Sequence, residues 1–244
     1  MLLIDISSLQ KIIAYNQEAK QYIFYKKDRL FFFYCNFVIV KKRAMKIKTS
    51  KSENTKQLII EKTASVFNTK GYAGTSINDL MNVTGLSKGC IYGNFENKDE
   101  IALKVFDYNF AKITQHMKER ILATGDSVEG LLVYPEMYKN YYKYPFLQSG
   151  CPILNTATEA DDTHPQLKER AQKALDLWKT AIVNQVKRGI EEKEIKEETD
   201  PNELAVIMIS IIEGAFMQAK VNNRMTELKV AMSFLEKMIM QLRA

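Results

Sequence analysis

From residue 55 onward, apolar positions recur three and four apart. Ile60, Thr63, Ala64 and Phe67 fall at i, i+3, i+4 and i+7, the stripe of an amphipathic helix. The glycine of "KGY" at 70–72 sits where a helix C-cap needs one. Ser76, with Asp79 three residues on, predicts the start of a short second helix that turns Ile77, Leu80 and Met81 inward and ends near Thr84. Gly85 makes the corner, Leu86 plugs it, and Ser87 caps a third helix with Ile91 and Phe95 inward. Asn97 with Glu100 opens a longer fourth. Further on, the period predicts helices over 98–123, 127–144, 151–160, 164–193, 201–221 and 225–243, with Thr163 plus Gln166 and Asp200 before Pro201 as start signals. Strand-type alternation is nearly absent, so the fold class is all-α.

A helix, a glycine corner and a short capped helix form the helix-turn-helix pattern, in which the second helix of the pair enters the major groove of DNA. Its outward positions are Lys88, Gly89, Tyr92 and Asn94: a cation, a gap for close backbone approach, an aromatic hydroxyl and an amide. Such groups contact phosphates and base edges. The helix starts at Ser76 and Ser87 add amide donors suited to phosphate oxygens.

Charge supports that reading. The net +6 is uneven: residues 1–44 carry eight basic and three acidic side chains, residues 45–104 nine and six, and residues 105–244 eighteen and twenty. A basic end on a mildly acidic body suits a polyanionic partner.

The stretch "FNTKGYAGTSINDLMNVTGLSKGCIYGNFENKDEI", residues 67–101, resembles the N-terminal domain of the tetracycline-repressor (TetR/AcrR) family of bacterial transcription regulators. Phe67, Gly71, Tyr72, Thr75, Ile77, Gly85, Ser87, Lys88, Gly89, Tyr92, Phe95 and Lys98 carry the resemblance. It implies a helix-turn-helix domain at 46–100 followed by a helical ligand-binding and dimerisation domain at 101–244. It also implies that Thr75 or Ser76 and Tyr92 hold phosphates, that Lys88 and Asn94 reach base edges or nearby phosphates, and that Lys98 pins the DNA backbone. At Gly93 and Asn94 the chain departs from the family, which usually places bulkier aromatic or histidine residues there.

Catalytic and metal constellations are poorly represented. Cys35, Cys90 and Cys151 have neither disulfide nor zinc spacing, and His116 and His164 form no HExxH pair. No GxSxG elbow, Walker loop or GxGxxG is present. The expectation is a cytoplasmic protein without metal or cofactor that is not an enzyme. A helical enzyme on a retained DNA-binding scaffold is the reading of a different class. "DDTH" at 161–164 reads as a solvated turn with a helix cap.

Residues 1–45 stand apart as an extension. "LFFFYCNFVIV" at 30–40, followed by "KKR", is too short an apolar run to span a membrane. Two readings of it stay open: a basic, apolar anchor on a membrane surface, or upstream sequence of a chain whose synthesis starts at Met45.

In the second half, "ELAVIMISIIEGAFMQA" at 203–219 is apolar on nearly all sides, interrupted mainly by Ser210 and Glu213, and reads as buried on both faces rather than membrane-spanning. The next helix repeats Leu228, Ala231, Leu235, Met238 and Leu242, a seam for pairing with another helix. Together they predict a homodimer interface through Met208, Ile212, Leu228, Leu235, Met238 and Leu242. "VYPEMYKNYYKYPF" at 133–146, with Trp178, offers lining for a pocket. Tyr134, Tyr138, Tyr141, Cys151 and Trp178 are its candidate residues, and their character favours an apolar or aromatic effector. "SGCPILNTATEADDTHP" at 149–165 resembles a segment of those family members that sense electrophiles or oxidants through a cysteine, which makes Cys151 a candidate switch. The whole predicts a repressor that binds a palindromic operator in double-stranded DNA as a homodimer and is released by a small molecule.

Overall fold

The computed structural model describes residues 51–244. The extension, its apolar run and the Met45 start lie outside the described residues. The described chain is helical throughout, with one lone antiparallel bridge between Ile195 and Arg243.

Helix α1 spans Lys51–Gly74 but is broken at Gly71, where φ is 73° and ψ 177°. Only glycine adopts that backbone without strain, and a β-carbon there would overlap the carboxylate of Glu159. α2 (Ile77–Thr84) opens on a capping box. The Ser76 hydroxyl accepts from the Asp79 N–H at 3.2 Å, and the Asp79 carboxylate accepts from the Ser76 N–H at 2.9 Å. α2 closes on Gly85, at φ 72°, whose N–H donates to the Met81 carbonyl at 2.9 Å. α3 (Lys88–Tyr92) is a five-residue helix capped by Ser87. Ile59, Leu80, Ile91 and Phe95 close the core of this first half with 3% exposure or less.

α4 (Lys98–Leu122) starts at Asn97, which accepts from the Glu100 N–H at 2.8 Å, and runs 25 residues into the second half. At 1.5 Å per residue it is a rod of about 37 Å. α5 (Ser127–Lys139), a 3-10 turn (Tyr141–Lys143), α6 (Pro145–Gln148), α7 (Pro152–Ala160), α8 (Pro165–Glu191), α9 (Pro201–Asn222) and α10 (Thr226–Met240) complete the bundle. α5 packs on α4, α8 and α10, and α9 lies against α8 and α10.

Three sequence expectations change. The helix expected over 127–144 ends at Asn140 (φ −112°, ψ 25°) and gives way to a 3-10 turn; Tyr144, which precedes Pro145, is held extended and closes that turn. The cap of α8 is His164, whose Nδ1 accepts from the Leu167 N–H at 3.2 Å. Thr163 instead donates back to the Glu159 carbonyl. α9 has 22 residues and is long and apolar enough to cross a membrane by length and composition, whereas its sequence reads as not membrane-spanning. In the fold it buries Leu204, Met208, Ile212, Phe216 and Ala219 as a core helix.

Candidate nucleic-acid interface and effector cavity

The helix-turn-helix surface consists mostly of caps and gaps. Ser76, Ser87, Lys88, Gly89, Tyr92 and Gly93 are exposed. A β-carbon at Gly89 would meet open space, so the helix surface there is bare backbone. Tyr92 is 39% exposed. At Gly93 a β-carbon would sit 3.1 Å from the Gly89 carbonyl oxygen, a tight contact at the close of α3.

Three of the sequence candidates are committed inside the protein. Thr75 is 1% exposed, and its hydroxyl donates to the Gly71 carbonyl at 2.6 Å. Asn94 donates through Nδ2 to the Cys90 carbonyl at 2.9 Å and accepts at Oδ1 from the Ser52 hydroxyl at 3.0 Å, so it ties off the end of α3 to α1. Lys98 Nζ donates to the carbonyls of Tyr72 (2.8 Å) and Thr75 (3.1 Å) and lies 4.1 Å from the centre of the Tyr72 ring. Each of these residues sits beside a helix end whose carbonyls lack intrahelical partners. Tyr72 is the hub. Its hydroxyl donates to Asp99, and its ring meets His164 edge-on at 4.6 Å. Burial, reinforced by Asp99, pushes its phenol up to about 12. Asp79 is held well below the usual carboxylate range, first by the Lys70 ammonium at 2.6 Å and then by Ser76.

In the second half, α4, α5, α8 and the start of α7 enclose a cavity of about 440 Å³. Tyr134, Tyr138, Cys151 and Trp178 line it together, as do Phe110, Ile113, Met117, Ile121 and Ile153, with Lys118, Gln185 and Arg188 as polar members. Leu122 and Leu177, 70% and 60% exposed, also belong to its lining and mark where it opens to solvent. Trp178 stacks on Tyr138 (centroids 5.8 Å apart, planes at 7°) and on Tyr134 (6.5 Å, 20°). Tyr141 does not line the cavity. It packs behind the wall on Phe216, centroids 4.9 Å apart, and Phe216 in turn meets Tyr138 at 5.4 Å.

Cys151 is 1% exposed and donates its S–H to Glu213 Oε1 at 2.8 Å. Burial, then the Glu213 charge, pushes the thiol well above its ordinary value. The sulfur thus stands at the cavity wall in its unreactive protonated form, against the requirement of a thiolate for electrophile sensing. Burial also lifts Glu213 itself, to about 7, and its Oε2 is buried with no hydrogen-bond partner. Sequence reasoning missed Glu213, although as a carboxylate in an otherwise apolar helix it was visible. Among the described residues no group of three His, Cys, Asp or Glu side chains is placed to hold a metal ion.

The expected dimer residues divide. Met208, Ile212, Leu228 and Leu235 are fully buried in the core of their own chain, which removes them from any contact with a second copy, while Met238 and Leu242 are half-buried. The regular stripe of α10 faces α9 and α5, because the most periodic apolar row is the one that fills the subunit core. A second, irregular row faces outward: Val206, Met217 and Val221 on α9, and Val230 and Phe234 on α10, are 49–78% exposed.

Comparison with known proteins gives this arrangement a family. Residues 59–105 match the model of the bacterial regulatory proteins, tetR family, and residues 127–235 that of the tetracyclin repressor-like C-terminal domain. A solved TetR-family transcriptional regulator from Cytophaga hutchinsonii is 41% identical, covering 80% of this chain and 98% of that one with a TM-score of 0.77. The chain belongs to the tetR family. A second solved TetR regulator, from Chloroflexus aurantiacus, is 37% identical over 80% of this chain and 98% of its own, with a TM-score of 0.75. The HTH-type transcriptional repressor DhaR of Mycobacterium sp. is 22% identical over 68% of this chain and 82% of its own length. As a tetR-family member the chain is a DNA-binding transcriptional regulator and not an enzyme. Regulators of this family bind DNA as dimers and respond to small-molecule effectors.

Proposed function

We propose that this tetR-family regulator is a cytoplasmic repressor that binds a palindromic operator as a homodimer and leaves it when an apolar or aromatic molecule fills the cavity. The observation that carries the reading is the path of α4. One end of this helix holds the helix-turn-helix through Lys98, and the other supplies Phe110, Ile113, Met117 and Ile121 to the cavity wall. An occupant that shifts α4 changes the placement of α3, a two-state coupling of effector and DNA.

Ser76, Ser87, Lys88, Gly89 and Tyr92 are the residues we assign to the DNA. The outward row of α9 and α10 is the surface we assign to the second copy, replacing the buried stripe. A shallow trough there, between Ile211 and Phe234, is lined mainly by apolar side chains. Two copies joined through it would present two α3 helices, whose half-sites must lie about one helical turn, or a multiple of it, apart.

The test is binding of the chain to DNA flanking its own gene, against a scrambled duplex, over a salt series. The reading expects a preference of about a thousandfold or more at physiological salt. Lys88→Ala is expected to lower the slope of log affinity against log salt by about one. Equal, weak binding to both duplexes would remove the repressor reading for that site.

A further inference from the structure

We infer that Glu159 is a positioning residue that ties the cavity wall to the DNA-reading helices through the broken end of α1; the inference rests on the cavity being the effector site. α7 begins at the cavity, with Cys151 as its N-cap and Ile153 in the wall, and ends against α1. There the Glu159 carboxylate accepts from two successive backbone amides, Tyr72 N–H at Oε2 and Ala73 N–H at Oε1, both at 2.8 Å. The break at Gly71 frees these amides, and the glycine leaves the space the carboxylate fills. Three residues beyond Ala73 stands Ser76, the cap of α2.

Two further ties hold α1 against α7 and the turn that leads into it. Asn155 Nδ2 donates to the Asn68 carbonyl at 2.8 Å, and Asn68 Nδ2 donates to the Gly150 carbonyl at 2.9 Å. A displacement of α7 at Ile153 therefore reaches the α1–α2 segment through directed hydrogen bonds as well as through apolar packing. Glu159 also sits in the last turn of α7, where the helix dipole disfavours a carboxylate. Its placement goes against local preference, and the clamp on α1 is the contact that compensates.

The experiment compares the full wild-type chain with Glu159→Gln and Glu159→Asp, each checked for helicity by circular dichroism. 8-Anilinonaphthalene-1-sulfonate serves as the cavity probe. Its own emission reports binding, anisotropy of a labelled flanking duplex reports DNA affinity, and hydrogen exchange reports the Tyr72 and Ala73 amides. In the wild type, probe saturation is expected to weaken duplex binding tenfold or more. In both variants probe affinity stays within about twofold, the probe response falls to twofold or less, and the two amides exchange at least about tenfold faster without probe, because Gln lacks the charge and Asp lacks the reach of the Glu159 acceptor.

Variants that keep wild-type exchange and the full probe response overturn the proposal. A wild-type chain that binds the probe in the cavity with no change in duplex affinity does so too. Failure of the probe to bind counts against the effector reading instead. In that case the clamp still stands or falls on the exchange rates and on the duplex affinity of Glu159→Gln, which an unchanged value overturns.

Discussion

Residues 51–100 and residues 101–244 handle their polar groups in opposite ways. In the first stretch Ser76, Asp79, Ser87, Asn94, Asn97 and Lys98 all close helix ends. No buried side-chain nitrogen or oxygen among its described residues lacks a partner. In the second, the buried His116 Nε2, His164 Nε2, Trp178 Nε1, Glu213 Oε2 and Glu227 Oε2 all do. Buried polar atoms without partners cost stability. The comparison teaches that the small half spends its polar residues on a fixed shape, while the larger half tolerates unmet polar groups, one of them, Trp178 Nε1, on the cavity wall.

The largest test of that contrast is Leu80→Ala. Leu80 is fully buried in the first half, and its truncation is expected to cost about 3 kcal/mol. Chemical denaturation followed by circular dichroism would measure the loss. A cost below about 1 kcal/mol would show that the small half is not tightly packed and would dissolve the contrast.

Next comes Glu213→Gln. The folded protein holds the Glu213 proton up to about pH 7, against an ordinary carboxyl value of 4.5. The folded state therefore binds more protons than the unfolded state between those values. Stability is full below pH 4.5 and declines as pH rises to 7, by about 3 kcal/mol. The variant is expected to lose that part of the decline and to be the more stable chain at pH 8, as read from denaturation midpoints at pH 5 and pH 8. Equal slopes in variant and wild type would mean that the carboxyl group is well solvated.

The smallest effect sharpens the first half. Lys98→Met keeps the aliphatic stem and removes the two carbonyl ties, so the chain should lose about 1.5 kcal/mol. The salt slope of DNA binding should stay at the wild-type value. A slope lowered by about one would return Lys98 to the phosphate contact implied by family resemblance.

Legibility in the sequence followed the same division. Caps are local, so Ser76 with Asp79, Gly85, Ser87 and Asn97 with Glu100 were all readable from spacing, and each stands as expected. Whether Thr75, Asn94 and Lys98 face outward was not readable. Thr75 and Asn94 turn back on the carbonyls of Gly71 and Cys90, four residues earlier, while Ser52 and Tyr72, which meet Asn94 and Lys98, stand on α1, 42 and 26 residues away. Four of the five pocket candidates converge on one cavity because large aromatic side chains on α5 and α8 face the same space. The outward row of α9 and α10 escaped because its period is broken, and periodicity selects the row that packs inside the subunit. Glu159 carries no local signal: its partners lie 86 and 87 residues away.

Trp178 is the chain's sole tryptophan, and it stands on the cavity wall stacked with two tyrosines. Indole emission from this protein is therefore a spectrum of one place. The molecule carries its own optical gauge on the wall of the cavity proposed for the effector, so unlabelled compound libraries can be read directly by ultraviolet light.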